Sequence, residues 1–222
     1  MAGQDVPRPG LGLREAKRRQ AMGQIQRVAL DLFDAHGYAS VTVEQIAAAA
    51  QVAPRSVYRY FGTKDGILLT QPEDDDMVAV LAGAVAHDDL VDALRGLVPA
   101  FTSAEFADPA GYWARVMRYV RSVPELTGAF AAGALEIADG LAAAQATARG
   151  LPPDDLPTRV RARAVVGALT AALDDWYGHP EGGPGERAAR MAERIHRALD
   201  ALGRPPRRAS RRSADSERVR EA

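Results

Sequence analysis

Apolar positions recur at helical spacing along nearly the whole chain, and no run of strand length alternates at a period of two. Between Arg14 and His36, the residues Ile25, Val28, Ala29, Leu32 and Phe33 fall on one helix face, and Gly37 suits the end of that helix. Thr42, with Gln45 three residues later, makes a capping box for a short helix that buries Val43, Ile46, Ala47 and Ala50. Gln51-Val52-Ala53 forms the turn. Pro54 then opens a helix to Phe61, and Gly62 closes it. Thr63 caps another helix from Lys64 to Thr70, stopped near Pro72. Further on, the pattern predicts helices over about 74–85, 88–101, 109–122, 124–149, 156–178 and 185–202. The expected fold is all-α: an N-terminal three-helix unit with a helix-turn-helix, then a C-terminal helical domain.

The distribution of charge divides this picture. The net charge is only -1, but residues 1–64 carry nine Lys/Arg against five Asp/Glu, and residues 65–110 carry one against ten. Residues 203–222 carry seven against three, with Pro205-Pro206 and no apolar period. We expect a flexible segment at 1–13, a basic helix-turn-helix unit suited to a polyanion at 14–64, a second helical domain at 65–202, and a disordered Arg-rich tail at 203–222. The chain has no cysteine, which excludes disulfides, thiolate chemistry and cysteine-ligated zinc. It shows no leader and no apolar stretch read as membrane-spanning, so a cytoplasmic location is expected.

Chemistry concentrates on the third helix. Arg55, Ser56, Tyr58, Arg59 and Tyr60 occupy its surface, while Val57 and Phe61 at i and i+4 anchor it. Arginines and tyrosines on one short helix supply phosphate donors, base-edge donors and stacking planes. The short helix before it and the three-residue turn give the spacing of a helix-turn-helix. Arg14, Lys17, Arg18 and Arg19 precede the apolar face of the first helix and form a candidate basic arm.

Residues 11–70 resemble the DNA-binding domain of the TetR/AcrR family of bacterial regulators. The likeness rests on Leu32-Phe33, Gly37-Tyr38, Thr42-Val43, Ile46-Ala47, Val52, Ser56-Val57-Tyr58, Tyr60-Phe61 and Lys64. It implies an all-α homodimer that binds a palindromic operator in double-stranded DNA and is released by a small effector. Carried onto this chain, Thr42 caps the second helix and touches a phosphate. Pro54, Arg55 and Ser56 face the major groove, Tyr58 and Tyr60 approach the backbone or base edges, and Lys64 holds a phosphate. Two positions depart from the pattern. Gln51 stands where glycine is usual, which asks for a left-handed residue, and Ala53 stands where a capping Ser or Thr is common.

The resemblance also implies a ligand pocket among the middle helices. Phe101, Tyr112, Trp113, Val116, Met117, Val120 and Phe130 are its candidate lining, suited to an apolar effector. The last two long helices are expected to pair across the two-fold axis through Val165, Leu169, Leu173 and Trp176 on the first, and Met191, Ile195 and Leu199 on the second. No cofactor, metal site or catalytic group is expected: the four histidines are scattered, and no phosphate loop or nucleophile motif is present. The run Glu73-Asp74-Asp75-Asp76 reads as a helix start. The alternative function is that of a helical dimeric interaction protein whose basic N-terminal face binds a partner other than DNA.

Overall fold

The computed structural model describes residues 12–71, 80–81, 83–85, 89–103, 106–183 and 185–203. Nine helices are described in full: α1 (Leu13–His36), α2 (Val43–Ala49), α3 (Pro54–Phe61), α4 (Lys64–Leu69), α5 (Leu90–Phe101), α6 (Tyr112–Ser122), α7 (Pro124–Ala148), α8 (Leu156–Gly178) and α9 (Arg187–Asp200). No strand occurs among the described residues. The helix expected over 74–85 lies mostly outside them, although 80–81 and 83–85 are helical. The acidic run at 73–76, most of the segment 1–13 and the tail beyond Gly203 lie outside the described residues.

The local signals read from the sequence act as expected. Thr42 accepts from Gln45 N at 3.2 Å, and the Gln45 side chain accepts from Thr42 N at 2.8 Å. Gly37 and Gly62 end α1 and α3 at φ of 82° and 70°. Gln51 adopts φ 58°, the left-handed conformation that its place in the turn demanded. Ala53 precedes α3 without any side-chain cap.

Two apolar cores result. In the first, Met22, Ile25, Ala29, Leu30 and Phe33 of α1 meet Ile46 and Ala47 of α2, Val57 and Phe61 of α3, and Ile67 and Leu68 of α4. Val116, Met117 and Val120 of α6 and Leu126 of α7 complete that core. The second joins α5, α7, α8 and α9 around Leu94, Leu141, Val165, Trp176, Met191 and Ile195. The expected boundary between residues 64 and 65 therefore needs correcting. It cuts α4 at its first residue, whereas α4 packs inside the N-terminal core, and so does the later helix α6.

One helix departs from the expectation that no segment is long and apolar enough to cross a membrane. By length and composition α7 qualifies, and 22% of its most apolar window is buried. Here it packs along α8, with Ala138, Leu141 and Ala142 in the second core.

Candidate nucleic-acid interface

The helix α3 is held from beneath and open above. Val57 and Phe61 are buried in the first core, whereas Pro54, Arg55, Tyr58 and Arg59 are exposed and Ser56 and Tyr60 are half-buried. The helix contains no acidic residue. Arg59 donates to the Tyr60 hydroxyl at 2.9 Å, and its guanidinium lies 4.7 Å from the Tyr60 ring centre. This pairing orients a planar donor outward. Tyr58 donates to Glu44 Oε1 on α2 at a long 3.4 Å, which ties the two helices of the motif at their surface. Arg55 meets no acceptor among the described residues. With Ala53 uncapped, no side chain covers the first N–H groups of α3. Exposed Thr42 stands at the start of α2 with its hydroxyl engaged in the capping box.

The placement of α3 rests on α4. Thr63 accepts from Gly66 N at 3.0 Å and starts α4 immediately after α3. A Cβ on Gly66 would run into the carbonyl of Phe61. Gly66 therefore lets α4 cross the end of α3 closely, a requirement that no motif signalled. Gln26, buried in α1, donates to Ile67 O at 3.1 Å and Thr70 O at 2.8 Å and fixes the far end of α4.

Lys64 has a different task from the phosphate clamp expected of it. Its ammonium donates to Tyr38 O at 2.5 Å and Val41 O at 2.7 Å, and lies 4.3 Å from the Tyr38 ring centre. It staples the loop between α1 and α2 from inside, and the partial burial that this entails lowers its pKa. The Tyr38 hydroxyl bonds Asp65. Burial, followed by that carboxylate, raises the Tyr38 pKa. The arm is also partly engaged: Arg18 and Arg19 both bond Glu15, at 3.1 Å and 3.3 Å, as i+3 and i+4 partners. Arg14 and Lys17 are exposed.

The expected pocket residues are divided among packed positions in the fold. Val116, Met117 and Val120 are buried in the first core, with Tyr112 and Phe130 packed against it. Trp113 stacks on Phe106 at 4.9 Å between ring centres. The Phe101 side chain lies outside the described ones. Two open cavities occur among the described residues: one of about 380 Å³ between Asp89, Arg95 and Asp200, and one of about 420 Å³ between Leu32, His36 and Gln45. None of the expected residues lines either. The expected dimer stripe also turns inward. Val165, Trp176, Met191, Ile195 and Leu199 are fully enclosed in the second core of a single chain, with Leu169 and Leu173 packed partly buried against it. The physical reason is that α8 and α9 pack on each other and on α5 and α7, so their apolar stripes are used within the chain.

The contact of α6 with α1 within the first core is polar at its edge. Arg115 of α6 bonds Asp31 at 2.8 Å and Asp34 at 2.9 Å on α1. Arg118 bonds Asp34 at 2.8 Å, and the Tyr119 hydroxyl donates to Asp34 at 2.6 Å. Burial alone raises the Asp34 pKa, but the Tyr119 hydroxyl and the two guanidinium groups outweigh it and leave the net shift downward. Tyr119 is pushed up to about 12 by burial and by Asp34.

The family model of the bacterial regulatory proteins of the tetR family matches residues 25–70, and that of the MftR C-terminal domain matches residues 88–205. The chain is 33% identical to the HTH-type transcriptional regulator TcmR of Streptomyces glaucescens, over 76% of this chain and 78% of that one. It is 29% identical to MftR of Mycobacterium tuberculosis (strain ATCC 25618 / H37Rv), named as a mycofactocin biosynthesis transcriptional regulator, over 84% of this chain and 91% of that one. Among solved structures, the fatty acid degradation regulator FadR of Bacillus halodurans superposes with a TM-score of 0.49 at 24% identity, covering 81% of this chain and 94% of that one. With a helix-turn-helix at 42–61 and matches that run through both halves, the chain belongs to the TetR family of bacterial transcriptional regulators, DNA-binding proteins of the helix-turn-helix type.

Proposed function

We propose that this regulator is a repressor that binds a palindromic operator as a homodimer and is released by a small, largely apolar effector. The observation that carries the DNA-binding part is the upper face of α3. It is acid-free, it is anchored by Val57 and Phe61, and it presents Arg55, Tyr58 and Arg59 outward. The uncapped N-terminus of α3 leaves the Arg55 N–H open to a phosphate or a base edge, since Pro54 has none and Ser56 N donates to Ala53 O at 2.8 Å. Two such helices related by a two-fold axis meet half-sites about 34–36 Å apart. Pro54 and Ser56 flank Arg55 in the groove, Tyr60 orients Arg59, and Thr42 offers a phosphate contact at the start of α2.

The effector reading rests on the second core. Its Trp176 is fully buried, and its indole N–H has no acceptor among the described residues. An orphaned buried donor costs about 1–3 kcal/mol. An apolar molecule that brings one acceptor, such as a carbonyl, relieves that cost. A thermal-shift screen of apolar carbonyl compounds tests this, with Trp176→Phe as the variant that loses the response.

A mobility shift with the DNA upstream of the chain's own gene tests the main reading. Arg55→Ala is expected to weaken the shift by about 1–3 kcal/mol and to relax sequence preference. An unchanged shift in both Arg55→Ala and Tyr58→Ala would remove α3 from the interface.

A further inference from the structure

We propose that the open cleft between the start of α5 and the end of α9 is where the chain's own C-terminal segment docks, with the arginines of 204–212 against the carboxylates of the cleft.

The cleft has a volume of about 380 Å³ and an apolar floor, since Val91 and Leu199 line it and are buried. Its walls carry carboxylates: Asp89 and Asp92 at the start of α5, and Asp200 at the end of α9. Two of the three are already engaged. Asp89 accepts from Val91 N at 2.9 Å and pairs with Arg161 at 3.1 Å, and Asp200 pairs with Arg95. Arg95 is the one Lys or Arg in residues 65–110, against ten Asp/Glu. Asp92 is exposed and meets no cation among the described residues. An open carboxylate above an apolar floor suits an arginine: the stem lies on the floor, and the guanidinium takes both carboxylate oxygens.

The course of the chain and its charge identify the occupant. Gly203 itself lines the cleft. It ends the helix at φ 67°, with its N–H donating to Asp200 O at 3.1 Å, so the chain leaves α9 at the edge of the cleft. The next nine residues, 204–212, hold five arginines and no acid. Pro205 and Pro206 lack the N–H groups that would continue a helix. The arginines at 207, 208, 211 and 212 lie beyond the family match, which ends at residue 205. A segment tethered at its own site has an effective concentration of about millimolar or more, so ion pairs that are weak one by one suffice to hold it. DNA would compete for the same arginines. The cleft draws them to the second core, to which α5 and α9 belong, whereas α3 is built on the first.

The absence of native cysteine makes the test direct. Gly96 is exposed on α5 one turn beyond Asp92, and Gly128 is exposed on α7 near Leu126 of the first core; a Cβ at either meets nothing within 4 Å. In the full chain, oxidation with copper phenanthroline is expected to close Gly96→Cys/Ala209→Cys into an intrachain disulfide at least about tenfold faster than Gly128→Cys/Ala209→Cys. Adding Asp92→Asn is expected to remove most of that advantage with far-UV helicity unchanged. Salt at about 1 M, where the Debye length falls to about 3 Å, is expected to do the same without any substitution at the cleft. Equal closure in the two pairs, or an advantage that neither Asp92→Asn nor salt reduces, overturns the docking. A disulfide between two chains in place of one within a chain gives the cleft to a second copy's tail and overturns it too. Two pairs that close alike, and that an unrelated DNA duplex slows alike, make the tail a DNA arm and overturn it as well.

Discussion

The two cores of this molecule are built from different materials. The first is filled with large side chains, Met22, Ile25, Leu30, Phe33, Ile46, Phe61, Ile67 and Leu68, and its buried alanines are Ala29, Ala47 and Ala50. The second holds six buried alanines, Ala93, Ala107, Ala138, Ala142, Ala162 and Ala172, together with the orphaned Trp176 N–H. Around the first core the chain adds the capping box at Thr42, the Lys64 staple and the Gln26 bonds to α4. Around the second, long helices pack along one another and leave apolar side chains exposed on α7 and α8. Large interlocking side chains resist deformation, whereas helices that meet through alanine have fewer fixed contacts to lose when they slide. Fixed geometry thus belongs to the end that carries the helix-turn-helix, and adaptability to the end proposed to take an effector.

The largest expected effect comes from breaking the first core alone. Gly66→Ala drives a methyl into the Phe61 carbonyl, a backbone atom that cannot turn aside. The expected loss is on the order of 3 kcal/mol. Only two tryptophans are present, so Trp113→Phe leaves Trp176 as a reporter of the second core. In that background, Gly66→Ala is expected to lower the melting of the first core while the Trp176 transition stays in place. If both transitions fall together, the two cores are one cooperative unit and the contrast fails. Gly128→Ala is the control: its Cβ meets nothing within 4 Å, and it is expected to stabilise α7 by about 0.5–1 kcal/mol.

These materials also explain what the sequence made legible. Helix ends are local chemistry, so Gly37, Thr42, Pro54 and Gly62 marked α1 to α3 almost to the residue. The surface of α3 was legible for the same reason: two buried anchors at i and i+4 fix which side chains face out. Roles that depend on distant parts of the chain were not legible. Lys64 carries a charge that suits a phosphate, and only the fold brings it against the carbonyls of Tyr38 and Val41. Met117 and Val120 lie on an apolar stripe that periodicity cannot assign to a pocket, a core or an interface; the packing of α6 on α1 decides it. In the same way the stripes of α8 and α9 were visible, but which face met its own chain was not. Gly66 left no motif because its requirement is a close crossing between two helices.

A smaller effect sharpens the contrast by making the stiff end stiffer. Gln51 holds φ 58°, and an L side chain in that region costs about 1–2 kcal/mol. Gln51→Gly removes the strain at some cost in backbone entropy, for a net gain of about 1 kcal/mol. Ala53→Ser supplies the missing cap of α3 for about another 1 kcal/mol. Both gains are expected in the far-UV melting of the first core, with the Trp176 transition unmoved. A gain from Ala53→Ser accompanied by weaker DNA binding places the start of α3, with its open Arg55 N–H, at the DNA.

The smallest effect lies at the edge of the first core. Arg115, Arg118 and Tyr119 of α6 converge on Asp34 of α1, and these groups are partly exposed, so each pair contributes only a few tenths to about 1 kcal/mol and weakens with salt. The sign with pH follows from Asp34. Its carboxyl titrates below its ordinary 3.8 in the folded chain, despite its own burial, because the Tyr119 hydroxyl and the arginines favour the charged form. The stabilisation is therefore complete above the ordinary carboxylate value and is lost as pH falls through the lower folded value. At the alkaline end, Tyr119 holds its proton to about 12 against an ordinary 10, so stability declines as pH climbs across that interval. Asp34→Asn is expected to lower stability by less than about 1 kcal/mol at neutral pH and to flatten the acid-side slope below 3.8. The same substitution is expected to lower the first-core transition and to leave the Trp176 transition in place, because the ion pairs it removes join α1 to α6 inside the first core. If Asp34→Asn retains the wild-type acid slope and first-core melting, the apolar contacts of Met117 and Val120 hold α6 on α1 unaided. The join between the first core and the second lies instead along α7, which carries Leu126 into the one and Leu141 into the other.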